Sequence, residues 1–221
     1  LGDVYKRQNI IRGEFSYIEN FINKNLNKIE GIVTANLGIM SKFKDKIRIL
    51  GDYKLNITNS SALDFYGKIT SGDCLSVELN RNEIEDIIGK SDVKAQVLVY
   101  GKIELMVSEY CVVGSTIGNK GRFKNCSEPC RREGFLLLDR KKKKFVLKTD
   151  KFCRSYIYNS VPINLISNMK ELRSIGINSF RADFIDEDYN EVKSILSCFQ
   201  KEMFKGDFSK FTRGHYKNGV E

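Results

Sequence analysis

Phe15, Ile18, Ile22 and Leu26 recur at three- and four-residue intervals, the period of an amphipathic helix with one apolar face. Beyond them the pattern changes, and short runs rich in Ile, Val and Leu alternate with helical segments. Runs at 29–35, 47–53, 74–79, 93–100 and 178–184 read as strands. Segments at 37–43, 60–68, 80–88, 163–174 and 187–199 read as helices, with Ser60 or Ser61 as the expected cap of one and Asn80 or Arg81 opening the next. Such alternation implies parallel strands joined by right-handed crossovers, hence an α/β fold. A complete eight-fold barrel takes roughly 250 residues. This chain of 221, with about five βα units, therefore predicts a partial TIM-like (β/α) barrel.

Between residues 108 and 155 the alternation stops. Gly114, Gly118 and Gly121 and their polar neighbours cannot form a core, while apolar runs at 135–138 and 145–147 flank DRKKKK like two hairpin strands. This is a Cys-rich loop and hairpin inserted between barrel elements. The expected organisation is a half-barrel over 9–107, the insertion over 108–155, final βα elements over 156–199 and a tail over 200–221. The opening LGDVYKRQ (1–8) fits no element and reads as adapter or cloning sequence, implying that an N-terminal part of the same protein is missing.

Composition adds little until charge is located. No apolar run approaches the roughly 20 residues of a membrane helix, and no secretory h-region opens the chain, so the expectation is a cytoplasmic protein with no membrane span. In that reducing compartment six cysteines are free or metal-bound. Cys74, at a strand start, and Cys198, on a helix's apolar side, read as small core residues. The net charge is +9, and residues 120–154 alone hold thirteen Lys and Arg against four acids. Arg122, Arg131, Arg132 and Lys141, Lys142, Lys143 and Lys144 are thus candidates to meet RNA phosphates. The plainer reading of the lysine run is a solvated hairpin turn.

Cys111, Cys126, Cys130 and Cys153 lie in that basic stretch, spaced by fifteen, four and twenty-three residues. Soft thiolates in this number suit an iron-sulfur cluster or structural zinc, and unliganded thiols remain a third option. Only Cys126 and Cys130 form the tight knuckle that zinc sites usually pair. The lone histidine, His215, lies in the tail and would need that tail folded back over the barrel mouth to act in catalysis. GSTIGNKG has glycines but lacks the strand and helix context of a phosphate loop. Polar residues at expected strand ends, Asp52, Asn56, Asn59, Glu78, Asn80, Arg181 and Asp183, are placed to line a barrel pocket or simply to cap helices. Glu78, Arg181, Asp183 and His215 are the catalytic candidates.

Taken together, GDYKLNITNS, SVELN, VYGKIELMVSEYC, CSEPCR, LLLDR, FCRSYIYNS, FRADF and the terminal TRGHYKNGVE make the chain resemble the collagenase-like peptidase family U32 from about residue 29 onward. The likeness is to the C-terminal barrel of long members; Asn218 departs from the Arg more usual there. It implies a 4Fe-4S cluster on Cys111, Cys126, Cys130 and Cys153, and a part in oxygen-independent hydroxylation of ribosomal or transfer RNA. Proteolysis, after the family name, and a zinc-stapled structural module are the alternatives.

Overall fold

The computed structural model describes residues 4–6, 10, 13–121 and 125–220. It divides into two compact units: residues up to Val99 with Leu165–Ala182 and the chain from Arg213, and Tyr100–Asn164 with Asp183–Thr212.

In the first unit, strands β1 (Val4–Lys6), β2 (Gly31–Thr34), β3 (Arg48–Gly51), β4 (Asp73–Cys74) and β5 (Ala95–Gly101) pair side by side in chain order, all parallel. Sequential order with a helix in most crossovers is barrel topology, and five parallel strands make a half-barrel. Helices α1 (Glu14–Asn25), α2 (Leu37–Phe43), α3 (Ser60–Gly67) and α4 (Arg81–Gly89) alternate with the strands. Ile18 and Ile22 of α1 and Ile39, Met40 and Phe43 of α2 bury against Ile32 and Ile49 of the sheet, the core that the period of residues 15–26 predicts. Farther along, α6 (Met169–Ser174) precedes β11 (Ser179–Ala182), which pairs with β5.

Several elements differ from expectation. Val4–Lys6 pairs with β2 although LGDVYKRQ was expected to fit nothing; an open parallel edge offers unpaired backbone groups to any short β-competent segment. The strand expected over 74–79 keeps only its start: Ser76 N turns to donate to Ile57 O (3.0 Å) and the chain leaves the ladder. Asn59 caps α3, its side chain accepting from Ala62 N at 2.8 Å, and the serines expected there begin the helix. Asn80 does cap α4, in a reciprocal capping box with Glu83.

The second unit is built on a four-stranded antiparallel sheet in the order β6 (Glu104–Ser108), β9 (Ser155–Tyr158), β8 (Lys144–Thr149), β7 (Phe135–Leu138). The short helix α5 (Val112–Thr116) follows β6. The start of the segment expected as helix over 163–174 is instead a two-residue strand, β10 (Ile163–Asn164), antiparallel to the end of β5. Helix α7 (Tyr189–Lys201) opens on a capping box between Asp188 and Glu191.

Candidate cysteine centre and polar strand ends

Three segments of the second unit bring the four cysteines into one neighbourhood. Cys111 caps α5, so its Sγ accepts a hydrogen bond from Gly114 N at 3.2 Å. The CSEPC knuckle turns through Glu128, left-handed at φ 52°, and Glu128 N donates to Cys126 Sγ at 3.3 Å. Cys153 sits in the loop joining β8 to β9, also left-handed at φ 60°. Cys111 is buried with Val113 and Leu147, and Cys130 and Cys153 pack against that small core. Burial pushes the Cys153 thiol up; Lys120 opposes this, and Cys111, Cys126 and Cys130 lie close enough to act on it.

The glycines of GSTIGNKG, set aside as a phosphate loop, serve this neighbourhood by being small. A Cβ on Gly118 would fall 2.5 Å from Cys126 Sγ, and one on Gly114 would fall 3.0 Å from Cys111 Sγ. Both sulfurs therefore lie against bare backbone. Among the described residues no group of three or more His, Cys, Asp or Glu is gathered tightly enough to hold a metal ion. A 4Fe-4S cluster binds each thiolate to a different iron, so its sulfurs ring a cavity and do not close on one point. Three thiols in a small core and a fourth close enough to act on Cys153, with N–H donors on two of the four and a lysine beside a third, are a donor set that such a cluster could take.

Residues that spacing did not single out hold Cys153 in place. The Asp150 carboxylate accepts from Phe152 N (2.9 Å), Arg154 N (3.0 Å), Arg154 Nε (2.8 Å) and Tyr156 Oη (3.0 Å). Burial works to raise the Asp150 carboxyl, but the bonds from Arg154, Tyr156 and Phe152 win and hold it below the usual carboxylate range. An Asp three residues ahead of a Cys-Arg pair, between two strand-like runs, was the available signal.

The basic candidates lie on exposed surface. Lys141, Lys142, Lys143 and Lys144 form the β7–β8 turn and the start of β8, and the turn is fastened by Asp139 Oδ1 accepting from Lys141 N and Lys143 N, both at 2.8 Å. Arg131 pairs with Glu128 at 3.1 Å, and Arg132 donates to Ser127 O at 3.2 Å. Arg122 lies outside the described residues.

In the first unit two strand-end candidates meet. Arg181, at the end of β11, reaches Asp52, just after β3, with Nη1 to Oδ2 at 2.8 Å, and its guanidinium lies over the Tyr53 ring. Asp52 is fully buried and takes a further bond from Lys54 N at 3.0 Å. Gln96 donates to Ser179 Oγ at 2.9 Å, and both line a cavity of about 160 Å³ with Arg48, Leu50 and Lys94. Asn56 accepts from Ser76 Oγ at 2.6 Å; Ser76 Oγ in turn accepts from Glu78 N, while the Glu78 residue itself is exposed.

The remaining candidates are not gathered there. Asp183 belongs to the second unit, where its N–H donates to Tyr100 O. His215 is exposed, its Nδ1 2.9 Å from Gly219 O within its own turn. The tail does fold back in the first unit: Tyr216 is buried, its hydroxyl donating to Glu171 and its carbonyl accepting from Arg81 N. That docking serves the fold and leaves His215 at the surface.

A half-barrel followed by a cysteine-bearing antiparallel sheet defines the class of protein, and comparison supplies the family. The model of peptidase family U32 matches residues 9–214, and the chain belongs to that family. It is 24% identical over 213 residues to the uncharacterized protease MJ0090 of Methanocaldococcus jannaschii, a match taking in 87% of this chain and 51% of that protein. The chain thus spans about half the length of this curated relative. A solved structure, that of the U32 peptidase Mk0906, overlaps 46% of this chain and 47% of its own at 9% identity and a TM-score of 0.40. Among the described residues no helix is long and apolar enough to cross a membrane.

Proposed function

We propose that Cys111, Cys126, Cys130 and Cys153 hold a 4Fe-4S cluster and that the protein acts in oxygen-independent hydroxylation of RNA. The observation that carries the first part is the shared core of Cys111, Cys130 and Cys153, with Cys126 close enough to act on the Cys153 thiol. When bound, such a cluster supplies one-electron chemistry whose potential responds to hydrogen bonds at sulfur and to exposure. The chain's own part is to bind and shield. Gly114 N and Glu128 N donate to two sulfurs, and Lys120 offsets thiolate charge near a third. The RNA part rests on the basic turn and on the likeness to U32 members that modify RNA; Lys141 to Lys144 would meet phosphates.

Anaerobic purification followed by an absorbance spectrum and iron and sulfide assays tests the cluster. Broad visible absorption with matching iron and sulfide, lost on Cys111→Ser or Cys153→Ser, is expected; a colourless protein with one zinc per chain overturns it in favour of a stapled structural module.

Proteolysis is the second reading, favoured by the family's name and by the relative's description as a protease. Casein cleavage that survives repurification and disappears in His215→Ala or Cys111→Ser would establish it.

A further inference from the structure

Asp150 and Arg154 bracket the loop that presents Cys153. Residues 150–154 close the β8–β9 hairpin beyond the last ladder pair, Thr149 with Ser155. Hairpin loops commonly reserve their left-handed position for Gly or Asn, because a Cβ there crowds the following carbonyl. Here that position is Cys153, at φ 60°. The backbone is tied at both ends of the loop: Asp150 N donates to Arg154 O at 3.1 Å, and Cys153 N donates to Asp150 O at 3.0 Å. The Asp150 side chain then accepts from Phe152 N and Arg154 N through one oxygen and from Arg154 Nε and Tyr156 Oη through the other, which also forms an ion pair with Arg154 Nη2 at 2.6 Å. Arg154 is itself buried, and its guanidinium lies 5.1 Å from the centre of the Phe152 ring. Released from these bonds, residue 153 would relax toward the right-handed or extended region, where its Cβ points elsewhere.

We infer that Asp150 is a positioning residue whose carboxylate locks Cys153 in its left-handed conformation and so aims the fourth sulfur at the other three. The inference rests on the cluster reading for what the sulfur binds, and on the loop geometry alone for where the sulfur points. The effect should be local to one ligand, because the partners of the carboxylate all belong to the 150–156 segment. Asp139 provides the internal comparison. It fastens the neighbouring β7–β8 turn with the same kind of side-chain bonds to backbone N–H groups, and that turn carries no cysteine.

The test compares wild type, Asp150→Ala, Asp150→Asn and Asp139→Ala, reconstituted anaerobically with ferrous iron and sulfide and read by electron paramagnetic resonance and iron count. Asp150→Ala should yield a three-iron cluster in place of the four-iron one, because each thiolate holds one iron and the iron facing a misdirected Cys153 would lack its ligand. Asp150→Asn, which still accepts from Phe152 N and Arg154 N, should retain more of the four-iron form, and Asp139→Ala should match wild type. A four-iron cluster of wild-type occupancy in Asp150→Ala overturns the proposal. Should wild type take up no iron and sulfide, the cluster reading fails by itself, and metal-free protein decides on Asp150. There dibromobimane should cross-link Cys111 to Cys153 in wild type and several-fold less in Asp150→Ala; equal yields, or no cross-link in wild type, overturn the proposal.

Discussion

Arg181 and Asp52, 129 residues apart in sequence, meet at 2.8 Å with the carboxylate fully out of solvent. One end of the half-barrel is therefore tied across its strands by a charge pair. Burying two charges is costly, and such a pair is sustained only when both partners are present. Arg181→Met, which strands the carboxylate, should destabilise the protein by about 3–5 kcal/mol. Adding Asp52→Leu should recover much of the loss. Urea unfolding of the two single variants and the double variant measures both, and additive losses would show that the pair is not coupled.

Asp73 gives the first unit a dependence on pH. It is buried against Gly51, with one oxygen accepting from Thr70 Oγ1 at 2.7 Å, and burial pushes its carboxyl up to about 6. A raised carboxyl contributes stability that is fully present below about pH 4 and is lost as pH climbs through about 6. Between those values wild type should lose roughly 2–3 kcal/mol relative to Asp73→Asn. Thermal unfolding of both across pH 4–8 checks it; parallel curves would refute it.

Gly118→Ala tests the close approach of backbone to sulfur. Its new methyl would lie 2.5 Å from Cys126 Sγ, so the sulfur or α5 must shift. Reconstituted protein should bind several-fold less iron than wild type. Gly121→Ala, which meets nothing within 4 Å, should bind as wild type does.

Neutralising the lysine run should leave the fold intact, because Asp139 fastens the turn through backbone N–H groups and not through lysine side chains. Each lysine that meets phosphate contributes about 0.7 to the slope of log affinity against log salt for single-stranded RNA. Replacing Lys141 to Lys144 by Gln should flatten that slope. An unchanged slope in a salt titration of RNA binding would remove the run from the interface.

Sequence patterning revealed elements whose cause is local. The helix at Leu37–Phe43 and the β7–β8 hairpin carry their own period, cap and turn residues. Elements defined by distant partners escaped it: β10 is two residues long and exists because Tyr100 and Gly101 lie opposite. Strand β6 exposes Leu105 and Met106 and so lacks the clean alternation that marks a half-buried strand. In the site, strand-end position nominated Asp52 and Arg181, but no pattern says which two strand ends touch. Cysteine spacing named the sulfurs and passed over Asp150, whose role is visible only once the loop is closed.

Cys111, Cys130 and Cys153 are at once candidate ligands and members of one small core, in which Val113 and Leu147 are buried beside Cys111. A protonated thiol behaves as a small hydrophobe. Emptied of any ligand, the same side chains can stay where they are as ordinary apolar packing, and a new occupant would find its seat already folded. If the proposed cluster is held there, its loss and repair would be events within a standing structure, separate from the synthesis and survival of the polypeptide.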